Sequence, residues 1–187
     1  MVWGGSLGLA PADDKLIQIE KILNLDPEPQ LLASILAKKL AVGSKYVLID
    51  IPAGKGAKVS NSQAKRLKNK FLILGNKIGL KIKVIVTNGS QPIGNGVGPV
   101  LEMHDILRVL KRENSPKDLE EKSLLIAGEI LEMVGIAKKG FGKKMAKEAL
   151  YSGKALKKFE EIIKAQGGKV KSPAPAKFSA NILADKS

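Results

Sequence analysis

Cysteine is absent from the chain, which excludes disulfides, thiol nucleophiles and thiolate metal ligands and says little about compartment. Histidine is almost absent. Its single copy, His104, falls on a predicted helix beside Glu102 and Asp105 and reads as a surface residue. One histidine without cysteine argues against a zinc site and leaves no supported Ser-His-Asp arrangement. Aromatic residues make up only 4%, too few for the base-stacking platforms of a dedicated single-strand nucleic-acid binder. No apolar run approaches the roughly 20 residues that span a bilayer. The opening MVWGGSLGLAPADD has no basic segment leading into an apolar core, so no secretory signal is expected.

Acidic residues are the minority charge. Eighteen Asp and Glu face 32 Lys and Arg, for a formal net charge of +14. Such a charge attracts polyanions and phosphorylated small molecules alike. Most of the excess lysine lies on predicted helices and in the tail, where a solvated lysine-rich surface is the plainer reading. The length of 187 residues and the 44% hydrophobic content fit one globular domain with a real core, with the cytoplasm as the default compartment.

The most informative stretch is LDPEPQLLASILAKKLAVGSKYVLIDIPAGKGAK, from Leu25 to Lys58. Asp26 precedes Pro27, and proline favours the first helical position, so Asp26 is expected to cap the following helix. Leu31, Leu32, Ile35, Leu36 and Leu40 recur at helical spacing as its buried stripe. Ser34 and Lys38, four apart, share one face. Gly43 stops the helix. Tyr46–Ile51 is nearly all apolar and suits a strand buried on both faces, as in a parallel sheet. The lysine-bearing turn from Pro52 to Lys58 then lies at the carboxyl end of that strand, the edge where open α/β sheets bind ligands.

Upstream, Trp3 through Ala12 reads as a small-residue loop, and Leu16, Ile17, Ile19, Ile22 and Leu23 fit either a short helix or an extended edge. Downstream, Ala64, Leu67, Phe71, Leu74 and Ile78 mark a helix over Asn61–Leu80, and the alternation in Lys81–Val86 marks a strand. That strand enters a second glycine-rich turn, TNGSQPIGNGVGP, before a helix over Leu101–Leu110. Strand, loop and helix twice over predict βα units and a parallel sheet. Further helices are expected at Lys117–Val134, Lys143–Leu150 and Lys154–Ala165, then a Pro/Ala linker at Ser172–Ala176 and the start of another element from Phe178 to Ser187.

Neither glycine-rich turn matches a nucleotide fingerprint. GNGVGP spaces its glycines G-x-G-x-G, and GKGAK lacks the Gly-Lys-Ser/Thr ending of a phosphate loop. Each alone is a tight turn. Two at strand ends are better placed to turn backbone N–H groups toward an anion. By composition and spacing the sequence describes a basic α/β domain that binds something anionic.

Five stretches taken together say more. VWGGSLGLAPADD, LDPEPQLLASILAKKLAVG, YVLIDIPAGKGAKV, TNGSQPIGNGVGPVLEMHDIL and SGKALKKFEEIIKAQGG, in order and across essentially the whole chain, resemble the thymidine/pyrimidine nucleoside phosphorylase family, most of all its archaeal AMP-phosphorylase branch. The resemblance implies phosphorolysis of an N-glycosidic bond, with inorganic phosphate as co-substrate and no cofactor or metal. For the archaeal branch the reaction is AMP plus phosphate to adenine plus ribose 1,5-bisphosphate, in nucleotide salvage. By the same resemblance Asp26 occupies the proton-donor position, Ser34 and Lys58 nucleotide-binding positions, and Lys38 that of a lysine contacting the base in pyrimidine-specific relatives. The base-contacting arginine of those relatives has no counterpart, since Ile19 stands in its register and Lys21 is the nearest cation. That favours the nucleotide branch. As an acid, Asp26 would need Lys38 turned toward ligand and away from the carboxylate.

The family's Lys-x-Ser-x-Gly-Gly phosphate loop is missing from the sequence, so the chain is expected to be part of a longer protein and inactive by itself. The expected fold class is α/β: part of a mixed or parallel-sheet domain of the nucleoside phosphorylase type, followed by helices. Residues 1–110 would form the α/β catalytic portion, 111–168 a helical segment of the same domain, and 169–187 a linker and the start of a truncated C-terminal domain. The expected partners are a nucleotide or nucleoside and phosphate, with neither membrane nor nucleic acid, and the full-length protein is expected to be a homo-oligomer. Two alternatives stand beside this. One is a thymidine or pyrimidine nucleoside phosphorylase. The other is a basic nucleic-acid- or anion-binding protein without catalysis, recognised by salt-sensitive binding that survives Asp26→Asn and Lys58→Ala. A glycosyltransferase of this fold acting on phosphoribosyl substrates is opposed by LDPEPQLLASI and DIPAGKGAK.

Overall fold

The computed structural model describes residues 8–170 and 174–183. Among them are seven helices and two strands: α1 (Pro11–Leu23), α2 (Glu28–Ala41), β1 (Tyr46–Ala53), α3 (Asn61–Lys77), β2 (Lys81–Asn88), α4 (Pro99–Lys111), α5 (Lys117–Met133), α6 (Gly142–Tyr151) and α7 (Lys154–Ala165). β1 and β2 pair in parallel from Tyr46↔Lys81 to Ala53↔Asn88, with α3 as the crossover. The chain is α/β, as expected. Two compact units emerge, one from the described residues of Met1–Pro92 with Leu125–Ala146, the other from those of Ile93–Leu124 with Lys147–Ser187.

The first unit holds the main core. Leu32 and Leu36 of α2, Val47, Ile49, Ile51 and Ala53 of β1, Ala64, Leu67 and Phe71 of α3, and Leu80 and Val84 pack as one buried cluster. The helical spacing in α2 and α3 puts these side chains on one face of each helix. Burial of the apolar groups, at about 25 cal/mol per Å² removed from water, is what holds helices and sheet together. Gly75 completes the α3 stripe where Leu74 was expected, because a Cβ there would collide with Ile82 of β2; Leu74 and Ile78 are pushed to the exposed side. Ser60 starts α3 with a full capping box, its side chain accepting from the Gln63 N–H while the Gln63 side chain accepts from the Ser60 N–H.

The structure also corrects the expected burial of β1 and the bounds of the first loop, and it resolves the open reading of the first apolar stretch. β1 is buried on one face only: Val47, Ile49, Ile51 and Ala53 point to the core, while Leu48 and Asp50 are half-buried. In this two-stranded sheet the whole core cluster gathers on one side. The ambiguous stretch after Pro11 is a helix, and Pro11 and Ala12 belong to it instead of to a loop. Its apolar residues Leu16, Ile17, Ile19, Ile22 and Leu23 are all exposed, so the periodicity that normally betrays a helix has no core to answer to. Asn24 closes α1 in the left-handed region at φ 52°, where the short polar side chain makes asparagine tolerable. Of the expected Trp3–Ala12 loop, residues 3–7 lie outside the described residues, as do 171–173 and 184–187 of the expected tail elements. The described part of the last, 178–183, forms no helix or strand, and Phe178, Ile182 and Leu183 are exposed.

In the second unit α4 packs against α7. Glu120 accepts from Ser115, Arg112 and Tyr151, and the Arg112 guanidinium lies 3.4 Å from the Tyr151 ring centre. Hydrogen bonding from Ser115, helped by Arg112 and Tyr151, outweighs burial and holds the Glu120 carboxyl below its ordinary value. No helix among the described residues is long and apolar enough to cross a membrane.

Candidate functional site

The carboxyl end of β1 leads directly into the first glycine-rich turn. The Gly54 N–H donates to the Val59 carbonyl at 3.1 Å and the Ala57 N–H to the Gly54 carbonyl at 3.3 Å, which folds the chain back beside Ala53. At the parallel end of β2, the Gly89 N–H donates to the Ala53 carbonyl at 2.9 Å. Glycine is needed at both places. A Cβ on Gly54, whose φ is +153°, would run into the Ser90 hydroxyl, and one on Gly89 would come within 2.8 Å of the Pro52 backbone. The two strand ends therefore form one continuous edge, with Lys55 and Lys58 exposed along it.

Lys58 reaches Asp26, Nζ to Oδ2 at 2.6 Å. Asp26 is not the cap of α2. Pro27 is the capping residue, extended at φ −72° and ψ 126°, without a side-chain cap. A second proline, Pro29, sits in the first turn, and Glu28 between them is the first helical residue. The Glu28 carboxylate is held on α3 by Arg66 at 2.6 Å and by Lys70. Hydrogen bonds from Lys70 and Arg66 outweigh desolvation and lower its pKa. Asp26 is thereby left outside the helix and available to Lys58.

The polar face of α2 has its own anchor, which the sequence reading missed. Asp13, in the first turn of α1, is buried although every apolar side chain from Leu16 to Leu23 on its helix is exposed. Its Oδ2 accepts from Ser34 Oγ at 2.8 Å and pairs with Lys38 Nζ at 2.6 Å, and its Oδ1 accepts from Gln30 Nε2 at 3.2 Å. Lys38 also donates to Ser34 Oγ at 3.2 Å, as the four-residue spacing implies. Burial by itself would raise the Asp13 carboxyl; hydrogen bonds from Lys38, Ser34 and Gln30, with the charge of Lys38, more than offset it and hold the group below its ordinary value. The structure thus joins the four sequence-proposed residues as two pairs, Ser34 with Lys38 and Asp26 with Lys58. Lys38 is turned toward a carboxylate, but that carboxylate is Asp13. A legible signal existed: Pro11 followed by Asp13-Asp14 is a helix start with an acidic first turn.

The second glycine-rich turn is built differently. Its N–H groups point at the protein's own carboxylates: Gly94 at Asp118, 3.1 Å; Asn95 and Gly96 at Asp105, 2.6 and 2.7 Å; Gly98 at Glu102, 2.9 Å. Burial opposes the charge on Asp105, yet the Gly96 and Asn95 N–H groups and Arg108 lower its pKa all the same. These donors are spent on internal anions, so the turn is not a cradle for an external one. His104 is half-buried on α4.

Among the described residues no group of three or more His, Asp and Glu side chains is arranged to hold a metal ion. A cleft of about 480 Å³ in the second unit is lined by apolar residues such as Met103, Leu107 and Phe159 and by the charged Lys111, Glu160 and Lys169. It contains none of the residues above.

No protein-family model matches the chain. Curated relatives do. It is 53% identical over 169 residues to AMP phosphorylase of Pyrococcus horikoshii, covering 90% of this chain and 34% of that protein. The same identity and coverage hold for AMP phosphorylase of Thermococcus kodakarensis. The Methanococcus maripaludis C5 AMP phosphorylase is 47% identical over 175 residues, 92% of this chain and 35% of the relative. The chain spans about a third of the length of these relatives. Over nine-tenths of its own length, it is a homologue of archaeal proteins named AMP phosphorylase.

Proposed function

We propose that the chain carries the nucleotide-binding and proton-donating side of an AMP phosphorylase, a pentosyltransferase of nucleotide salvage acting in the cytoplasm on nucleoside 5′-monophosphates. In the reaction a phosphate oxygen bonds to the anomeric carbon as the glycosidic C–N bond breaks. The electron pair leaves with the base, which takes up a proton from Asp26. Ser34 and Lys38 address the base, and Lys58 the charged part of the nucleotide. The observation that carries this reading is the homology to proteins named AMP phosphorylase across the segments that hold all four residues. The exposed pairing of Asp26 with Lys58 at one strand-end edge supports it.

That pairing has a consequence for the chemistry. In the ion pair Asp26 is a carboxylate accepting from an ammonium, and it becomes a donor only when Lys58 is drawn elsewhere and the carboxyl is desolvated. A nucleotide phosphate competes directly for Lys58. Substrate arrival would therefore both place the base and release the acid. The sequence has no Lys-x-Ser-x-Gly-Gly pattern, so these 187 residues are expected to bind nucleotide without phosphorolysing it, the full-length protein being a homo-oligomer with phosphate as co-substrate.

Calorimetric titration tests the reading. AMP should bind at least about tenfold more tightly than thymidine, and Lys58→Ala should weaken AMP. Thymidine binding as well as AMP would move the chain to the pyrimidine nucleoside branch. The net charge of +14 favours one further reading, a basic anion- or nucleic-acid-binding protein. Steeply salt-dependent RNA or DNA binding that is untouched by Asp26→Asn and Lys58→Ala would establish it. Release of adenine by these residues alone would contradict the expected inactivity.

A further inference from the structure

Asp13 is a buried carboxylate with no role in the chemistry above, yet Ser34, Lys38 and Gln30 all converge on it. The hydrogen-bond directions in this cluster are forced by chemistry alone. A carboxylate only accepts and an ammonium only donates. Ser34, placed 2.8 Å from Asp13 Oδ2 and 3.2 Å from Lys38 Nζ, must give its proton to the first and a lone pair to the second. One lone pair of Ser34 remains. Lys38 spends one N–H on Asp13 and one on Ser34, and one remains. Both side chains are only partly buried, so a ligand can reach them.

We propose that Asp13 is a positioning residue that fixes the polarity of the base-binding edge, so that Ser34 meets the ligand as an acceptor and Lys38 beside it as a donor. This rests on the nucleotide reading of Ser34 and Lys38. The matching ligand edge carries an N–H next to an acceptor atom, as the amino group and adjacent ring nitrogen of adenine do. A base lacking that N–H leaves the Ser34 lone pair unanswered. Without Asp13 the hydroxyl proton is free to turn outward and the discrimination is lost. Gln30 steadies the far carboxylate oxygen and leaves Oδ2 to the other two groups.

The test compares AMP with purine riboside 5′-monophosphate, which lacks the amino group, on the 187-residue chain by calorimetry. Wild type should prefer AMP by about tenfold, the scale of one hydrogen bond to a partly buried group. Asp13→Asn, shown folded by circular dichroism, should reduce that preference to less than about threefold, because its amide can donate to Ser34 and release the proton. Asp13→Glu, which keeps the acceptor, should retain most of the preference. A folded Asp13→Asn chain with the full preference overturns the proposal, since a merely structural role would not set it. A second readout needs no ligand: acetylation of Lys38, followed by mass spectrometry against Lys39 as internal reference. Asp13→Asn should speed it at least about threefold by releasing the side chain from its carboxylate partner; an unchanged rate overturns the anchoring itself. Should wild type bind neither nucleotide while Lys38 is freed in Asp13→Asn, the anchor stands and the nucleotide reading falls.

Discussion

Two aspartate–lysine pairs in the same compact unit share a separation of 2.6 Å and almost nothing else. In Asp13–Lys38 the carboxylate is 9% exposed and the lysine 34%, and Ser34 and Gln30 fill out the carboxylate's acceptor sites. In Asp26–Lys58 the figures are 58% and 63%. Coulomb energy at equal distance differs severalfold between a protein interior and water. The first pair is therefore built to stay closed, the second to open. That division suits a site in which one cluster holds a fixed recognition edge and the other must hand over a proton.

The contrast is broken most severely at Asp13. Asp13→Ala leaves Lys38 and Ser34 facing a vacated acceptor, and urea unfolding should show a loss of about 2–3 kcal/mol. That is less than the roughly 3–5 kcal/mol for a fully buried pair, because Lys38 still reaches water. Next comes Gly54→Ala, where a Cβ would strike Ser90 and the backbone resists an L side chain. It should cost about 1–3 kcal/mol and loosen the turn that carries Lys58, a change visible as lost amide protection over 54–59.

Acid should act on the buried pair in a defined direction. The folded Asp13 pKa lies below the ordinary value of 3.8, so its contribution is full above that value and fades as pH falls through the lower folded one. The stability gap between wild type and Asp13→Asn should hold from pH 7 to about pH 4 and narrow below it. A gap that widened with acid would mean that the carboxylate is not held by donors. The smallest effect is expected at the exposed pair, where Asp26→Ala should change stability by less than about 0.5 kcal/mol and the effect of 0.5 M salt should be comparably slight.

The same contrast explains what was legible in the sequence. α2, β1, α3 and β2 could be read because their apolar residues answer to a core: Leu32, Leu36, Val47, Ile49, Leu67 and Phe71 are all buried. α7 was legible for a different reason: none of its residues is buried, but Gly167, at φ +74°, follows its end and marks the stop. α1 could not be read, since Leu16, Ile17, Ile19, Ile22 and Leu23 serve no core of this chain and its one buried residue is an aspartate. Asp13 was lost with it. Its partnership with Ser34 and Lys38 joins residues 21 or more apart on different helices, which spacing within one helix cannot reveal.

Asp26 shows the opposite failure. Asp-Pro before an apolar helical stripe is a sound capping signal, yet the second proline at Pro29 lets the helix begin at Glu28 and leaves Pro27 extended. A residue that looked structural is instead a partner of Lys58. The glycine-rich turns diverge for a reason invisible in the glycines themselves. Asp105 and Asp118, nine or more residues downstream, occupy N–H groups of the second.

On the proposed reading, α2 and the first strand-end turn together form the nucleotide site. Titrating AMP into the isotopically labelled chain and following its amide resonances tests it directly. Saturable shifts are expected at Ser34, Lys38 and the Gly54–Lys58 turn, with the Gly94–Gly98 turn unmoved. Shifts confined to Gly94–Gly98, or scattered without saturation over the lysines of α6 and α7, would contradict it.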